Sequence, residues 1–396
     1  MDKNKSNRPI VIVSNLYPNN VETTKGLFIK QLADSLSNLC EITVVSPIPL
    51  HPLDLIRKPA IVDKEMIDGI VVLHPRYIVI PKMLRSLIGY FFSKGILNTI
   101  KSLKNKGKAD IISAHWAYPD GYGASLVAKK LNIPFSVHAL GCDINDYTKY
   151  KIRRKLIASA LNNSNINIVK SQALKDKITS LGVDSDKTLV IHNGVDQKKF
   201  KRTDVSIARK SVQSYSNKVK FDDDIKYCLF IGNFQIEKGL NYLLDAFDRI
   251  KSEKIHLIVI GAGPLQQSIE EQINQLNLNA HVTLVGRVEH QQIPNYMSAS
   301  DLLCLPSLRE GCPNVVLESL SCGTPVVASN VGAVPDIISK KEFGVIVPAC
   351  DPVALAQGLT KGLKLKENIL PEFEWYSWQE NAERVNDELQ KLVSEN

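Results

Sequence analysis

The stretch "YCLFIGNFQIEKGLNYLLDAFDRIK", residues 227–251, reads as an apolar strand, a turn running from Gly232 to Gly239, and a helix with Lys238 beside its opening. A glycine lets the backbone approach a ligand closely, a helix start offers unpaired N–H groups, and a lysine adds a point charge. Diphosphate oxygens fit such a turn. The G-x-x-x-x-G-K-[ST] pattern of a Walker loop is absent, and a plain strand-to-helix turn with an exposed lysine accounts for the same residues.

The alternation of strand and helix continues on both sides. Downstream come IHLIVIGAGP, LQQSIEEQINQLN, VTLVGRV, IPNYMSAS, DLLCLPS, NVVLESLSC, PVVASN and GVIVPA. Upstream, the strands PIVIVSN, EITVVSP, GIVVLHPRYIVI, ADIISAHW, PFSVHAL, NINIVKS and KTLVIHNG are interleaved with helical segments such as GLFIKQLADSLSNL and KYKIRRKLIASALNN. Val/Ile-rich runs alternating with helices predict parallel, doubly wound sheets, whose ligands bind at the carboxyl ends of the strands. Between the two series, VDQKKFKRTDVSIARKSVQSYSNKVKFDDDIK is polar and weakly periodic, and reads as a connector. At 396 residues the chain exceeds one ordinary core. The expectation is an α/β protein of two Rossmann-like domains facing across a cleft, 1–198 and 199–374, with a terminal helix at 375–396 packing back on the first. Trp375, Tyr376 and Trp378 are candidate anchors of that helix.

Two further turns could carry chemistry. In VIGAGPL, Gly261 and Gly263 suggest a phosphate-side turn or a packing turn, but G-x-G-x-x-G is incomplete. In PSLREGCPNVVLESLSCGTPVV a strand end leads through Gly311 and Pro313 into a helix ended by Gly323 and Pro325, with Glu310 and Glu318 eight positions apart. Eight helical steps would separate the two glutamates by about 12 Å along the axis and about 80° around it. That exceeds the roughly 5–9.5 Å of a glycosidase pair. Glu310 in the loop beside a sugar and Glu318 accepting ribose hydroxyls is a more natural geometry. Two solvent-facing acids remain the plain alternative.

The net charge is +8, and no acidic residue falls between Asp68 and Asp110. Within that gap, residues 81–108 read as a basic amphipathic helix carrying Lys82, Arg85, Lys94, Lys101, Lys104, Lys106 and Lys108. It is a candidate contact with an anionic membrane surface, or a packed helix with a solvated basic face. No helix-turn-helix, RNP-like or zinc-finger pattern accompanies the charge, so nucleic acid is not an expected partner. The apolar run near the N-terminus is too short for a signal or spanning segment, and cytoplasmic residence is the expectation. The seven cysteines lack C-x-x-C pairs, which argues for reduced thiols and against structural zinc.

From YPNNVETTKGLFIKQLADSL through VIHNGVDQKKF, FIGNFQIEKGLNYLLDAF and VIGAGP to PSLREGCPNVVLESLSCGTPVVAS and the Trp378 segment, the chain resembles the retaining glycosyltransferases of family 4, with the two-Rossmann GT-B fold. The E-x7-E spacing followed by C-G-T-P-V-V and the N-G-V-D-x-x-x-F of residues 193–200 are specific in combination. The resemblance implies a nucleoside-diphosphate-sugar donor. Glu310 would contact the transferred sugar, Glu318 the ribose and Lys238 the diphosphate. Gly26, Gly232, Gly261, Gly311, Asn314 and Val315 would bring backbone to the donor. Many members carry an arginine where this chain has Asn233, which donates hydrogen bonds but no charge.

SAHWAYPDGYGAS resembles a subgroup that builds bacterial surface polysaccharides of the colanic-acid and teichuronic-acid type, with His115, Asp120 and Gly121 at matching positions. In SVHALGCDIND, Asp143 matches well, whereas Leu140 stands where the family has histidine or arginine. His138, two residues earlier, either substitutes as a catalytic residue from the same strand face or is a core histidine. The implied reaction is front-face transfer to a lipid-linked saccharide, without metal or other cofactor, by a cytoplasmic enzyme peripheral to the membrane's inner face. The acidic run Asp222–Asp224 lies in the connector, where a solvated charge run explains it. A sugar-nucleotide epimerase and a non-catalytic nucleotide-sugar-binding subunit are the alternatives.

Overall fold

The computed structural model describes residues 7–50, 61–80, 85–252, 254–367 and 372–394. The chain divides into two compact units, Met1–Asn193 with Trp378–Asn396, and Gly194–Ser377. Residues 194–198 and 375–377 therefore belong to the second unit.

In the first unit the chain runs β1 (Ile10–Val13), α1 (Leu27–Ser37), β2 (Ile42–Val45), β3 (Ile48–Leu50), β4 (Lys64–Ile67), β5 (Ile70–Leu73), β6 (Arg76–Ile78), α2 (Ile88–Asn105), β7 (Ile111–His115) and α3 (Tyr122–Leu131). It continues through β8 (Phe135–Ala139), α4 (Cys142–Asn145), α5 (Lys151–Asn163), β9 (Ile166–Val169), α6 (Gln172–Thr179) and β10 (Thr188–Val190). The sheet order is β10-β9-β8-β7-β1-β2-β5-β4, with β4 antiparallel and every other pairing parallel. Strands β1, β2, β7, β8 and β9 are buried at every residue, which is why they read as unbroken Val/Ile-rich runs. The direction of winding reverses between β1 and β7, and that is where such a sheet opens a ligand crevice.

The second unit comprises α7 (Val205–Tyr215), β11 (Lys226–Ile231), α8 (Leu240–Asp248), β12 (Ile255–Ile260), α9 (Gln266–Gln275), β13 (Val282–Gly286) and α10 (Ile293–Ala299). It is completed by β14 (Leu302–Leu305), α11 (Asn314–Ser321), β15 (Val326–Ser329), α12 (Val334–Ile337), β16 (Gly344–Val347) and α13 (Pro352–Gly362). Its six strands are parallel in the order β13-β12-β11-β14-β15-β16, with the reversal between β11 and β14. Helix α14 (Trp378–Ser394) returns to the first unit. Its buried Trp378, Ala382, Val385 and Leu389 share one apolar cluster with Ile29, Leu32, Ala33 and Leu36 of α1.

Several local readings change. The connector contains α7, whose N-cap Asp204 accepts hydrogen bonds from Ser206 N and Ile207 N and which buries Ala208 and Val212. GIVVLHPRYIVI is not one strand: it splits at Pro75, which has no N–H, into β5 in the large sheet and β6 in a two-stranded sheet with β3. Of the three aromatic residues assigned to the terminal helix, only Trp378 lies in it; Trp375 stacks on Phe373 and Tyr376 within the second unit.

The basic helix forms as α2, with Lys82 outside the described residues. Phe92, Ile96, Ile100 and Leu103 are buried in the fold, so much of the apolar stripe that could enter a bilayer is already covered. No helix among the described residues is long and apolar enough to cross a membrane.

Candidate active site

In the second unit, the turn after β11 is set by its glycines. Gly239 has φ 64° and caps α8, and a Cβ there would fall on the carbonyl oxygen of Pro306. A left-handed φ and this close approach both require glycine. The start of α8 is thereby pressed against the loop after β14. Across that contact Lys238 Nζ donates to Glu310 Oε1 at 2.7 Å, and Ser307 Oγ donates to the same oxygen at 2.7 Å. Arg309 and Glu237, the neighbouring residues of the two loops, form a second ion pair at 2.6 Å. From the other side Ala333 N donates to Gly311 O at 2.8 Å, and any side chain at Gly332 would strike the Glu310 backbone. Glu310 is thus held in place while its Oε2 takes no part in the bonds to Lys238 and Ser307.

Helix α11 begins at Asn314 behind Pro313, and no side chain caps its first turn, where Val315 follows. One turn further, Glu318 Oε1 lies 3.5 Å from His290 Nε2, and Lys199 Nζ donates to His290 Nδ1. Burial pulls the Lys199 pKa down, while the Glu318 and Asp196 carboxylates oppose that shift. The side chains of Glu310 and Glu318 are only 12% and 15% exposed. Neither is a solvent-facing acid.

The remaining glycines divide by cause. Gly261 has φ 140°, and a Cβ there would meet the Gly232 carbonyl; one at Gly263 would meet the Phe234 backbone. The GAGP turn is therefore glycine-rich because it packs on the 232–234 turn. Gly232 itself has no positive φ, the nearest atoms to a side chain there belong to the Phe230 ring and Lys238, and Asn233 is exposed.

In the first unit, Gly26 repeats the geometry of Gly239: φ 62° at the cap of α1, with the Leu16 carbonyl where a Cβ would stand. At the β1/β7 reversal Asn15 N donates to Asp120 Oδ1 at 2.5 Å, and Asp120 Oδ2 has no partner. Burial drives the Asp120 pKa well above the usual carboxylate range, toward an uncharged acid. Asp143 accepts from Ala117 N (2.8 Å), Gly141 N (2.8 Å) and Leu140 N (3.1 Å), which ties the loops after β7 and β8 together. Gly121 N donates to Trp116 O at 2.8 Å and closes the turn after β7.

The catalytic reading of His138 is corrected. His138 pairs in register with His115, and the two rings stack at 4.0 Å with Ser113 Oγ 3.0 Å from His138 Nε2 and 3.3 Å from His115 Nε2. Both are fully buried. Desolvation lowers the His115 pKa to about 3 and the His138 pKa well below its ordinary value, so both are uncharged. His138 is a core histidine, with the one departure that its Nδ1 lacks a partner.

Ser307 and Arg309 sit inside the PSLREG stretch, and Lys199 inside NGVDQKKF, yet none was singled out from the sequence. Nothing local marks His290, because its partner Lys199 lies 91 positions away.

A family model described as Glycosyltransferase Family 4 matches residues 26–199, and one described as Glycosyl transferases group 1 matches residues 211–372. The chain is 26% identical over 363 residues to the putative teichuronic acid biosynthesis glycosyltransferase TuaC of Bacillus subtilis strain 168, covering 89% of this chain and 88% of the relative. It is 27% identical over 248 residues to the alpha-monoglucosyldiacylglycerol synthase of Streptococcus pneumoniae, covering 60% of this chain and 55% of that protein. Among solved structures, sucrose-phosphate synthase from Thermosynechococcus elongatus matches with a TM-score of 0.77 at 19% identity, over 98% of this chain and 100% of the other. Anabaena HepE in complex with UDP matches with a TM-score of 0.69 at 18% identity, over 98% and 96% of the two chains. These two likenesses are likenesses of fold. With a Glycosyltransferase Family 4 domain in its first half and a Glycosyl transferases group 1 domain in its second, the two together spanning most of its length, the chain is a glycosyltransferase built from two Rossmann-like units.

Proposed function

We propose that the enzyme transfers a sugar, with retention, from a nucleoside-diphosphate sugar to a lipid-linked saccharide during synthesis of a cell-surface polysaccharide, working peripherally at the cytoplasmic face of the membrane. The observation that carries this reading is the Lys238–Glu310 pair, held between the start of α8 and the loop after β14. A diphosphate arriving at these helix starts meets the Lys238 ammonium, which stabilises the charge that develops as the nucleotide leaves. Glu310, freed from the lysine, turns its carboxylate to the sugar hydroxyls. Glu318 exchanges His290 for the ribose hydroxyls, and the backbone of Gly311, Asn314 and Val315 lines the approach. Metal and other cofactors have no part in the proposed chemistry.

The names of the relatives support the finer reading: one carries teichuronic acid biosynthesis and another a glucosyldiacylglycerol product. HepE's complex supports a nucleoside diphosphate as ligand. The test is a thermal-shift screen against a panel of nucleotide sugars, followed by nucleoside diphosphate release in the presence of lipid acceptors. A ligand at a hundredfold excess over its Kd stabilises the fold by about 2.7 kcal/mol, a shift of a few degrees. No shift with any donor and no acceptor-dependent release would sink the reading. Donor turnover without acceptor would instead indicate an epimerase, and binding without turnover a non-catalytic subunit.

A further inference from the structure

We propose that Arg153, held among Tyr118, Tyr147 and Tyr150, is a receptor for a phosphate group carried by the lipid-linked acceptor. Arg153 lies in the first turn of α5, half-buried. Its guanidinium carbon is 4.9 Å from the ring centre of Tyr147, 5.0 Å from that of Tyr150 and 5.9 Å from that of Tyr118. Among the described residues it makes no ion pair. Other arginines of the molecule do: Arg209 pairs with Asp223, Arg309 with Glu237 and Arg76 with Asp63. The nearest acid along the chain, Asp146, faces Lys149 at 3.0 Å.

Three rings gather within 6 Å of the guanidinium carbon, and each such contact contributes about 0.5–1 kcal/mol at a partly exposed site. The edge of the guanidinium carries its N–H donors, which make no hydrogen bond among the described residues and so remain for an external acceptor. A planar fork of donors matches two phosphate oxygens at once. Lys151, Arg154 and Lys155, exposed on the same helix, add positive potential around it.

The cage also stands where an acceptor is expected. Tyr118 follows β7, and Tyr147 packs edge-on against Trp116 at 6.1 Å, beside the β1/β7 reversal that holds Asp120. Trp116 has φ 97°, a conformation rarely adopted by a bulky residue, held by its N–H to His138 O and its carbonyl from Gly121 N. Apolar side chains flank the cage on the outside: Tyr150 and Ile152 are each 59% exposed. Leu87 (44%) and Tyr90 (47%) belong to the start of α2, which the Tyr118 hydroxyl joins by bonds to Arg85 O and Gly89 N. Exposed apolar side chains around a cation favour a phosphate borne on a lipid over one on a free sugar.

The inference rests on the lipid-linked reading of the acceptor, but its test needs no sugar transfer. Phosphatidylcholine vesicles doped with phosphatidic acid, a phosphomonoester, are compared with vesicles doped to equal charge with phosphatidylglycerol and with inorganic phosphate in solution. Arg153→Met keeps the stem against the rings; Arg153→Lys keeps the charge without the fork. The expected result is a roughly 10–100-fold weaker binding of Arg153→Met to phosphatidic acid vesicles, the loss of one charge-assisted contact. Arg153→Lys falls between, binding to phosphatidylglycerol changes less, and nucleoside diphosphate affinity stays as in the parent, while Arg153→Met lowers the unfolding midpoint by a few degrees as the ring contacts are lost. If Arg153→Met does not fold, Arg153→Lys carries the comparison alone. Unchanged binding to phosphatidic acid overturns the proposal, and so does an effect seen with inorganic phosphate but not with vesicles. A protein that binds phosphatidic acid through Arg153 yet transfers no sugar would overturn the functional reading and leave this one standing.

Discussion

The two units open their first crossover helices with the same three residues, Lys25-Gly26-Leu27 and Lys238-Gly239-Leu240, in the same backbone shape: φ 62° and ψ 34° at one glycine, φ 64° and ψ 23° at the other. Their surroundings differ. Lys25 pairs with Glu22, three positions back and half exposed, whereas Lys238 reaches Glu310, 72 positions ahead and largely buried. At the winding reversal the first unit joins its strands through a backbone N–H and Asp120, whose pKa burial raises; the second joins them through an ammonium and a carboxylate. Local geometry is thus repeated, and the charge at the crevice comes from which carboxylate the fourth strand of the sheet delivers.

The largest expected effect breaks that contrast if it fails. Glu310→Gln should lower kcat/KM for sugar transfer by roughly 10²–10³ with the fold intact, as loss of a group aligned with developing charge does. Asp120→Asn should lower it far less, and steady-state kinetics giving equal losses would mean that the two reversals are alike in chemistry. Next in size, Gly26→Ala and Gly239→Ala should each destabilise the protein by about 2 kcal/mol or more, since a left-handed φ alone costs about 1–2 kcal/mol and a carbonyl blocks the new Cβ. Urea midpoints read this, and a harmless Gly26→Ala would show that the helix starts are matched only in appearance. The smallest effect concerns pH. The folded pKa of Asp120 lies above its unfolded value, so above about pH 4 the unfolded state binds fewer protons than the folded one and stability falls as pH rises toward the folded pKa. Asp120→Asn removes this slope: the stability difference between variant and parent should shift in the variant's favour from pH 4 to pH 8. A difference independent of pH would mean that Asp120 is charged when folded.

Most of the strand–helix alternation was legible because parallel strands buried on both faces leave runs of Val and Ile that no surface segment imitates. Helix α7 escaped because only Ala208 and Val212 of its residues are buried, too few to mark a period, although Asp204 before it was a readable cap. The β4–β5 hairpin escaped despite an Asp68-Gly69 turn with both φ values positive, a pattern that does mark hairpins. At the site, Glu310, Glu318 and Lys238 stood out by spacing, while Lys199 and His290 meet only through folding. The burial of His138 was beyond reach, because an alternating strand pattern is silent where both sheet faces are covered.

The return of α14 makes the second unit, in effect, an insertion within the first. During synthesis, β1 through β10 leave the ribosome early, yet the apolar face of α1 around Ile29, Leu32, Ala33 and Leu36 waits for Trp378, Ala382, Val385 and Leu389. The first unit to be made is therefore the last to be finished, and until then its open flank is the surface that a chaperone would be expected to hold.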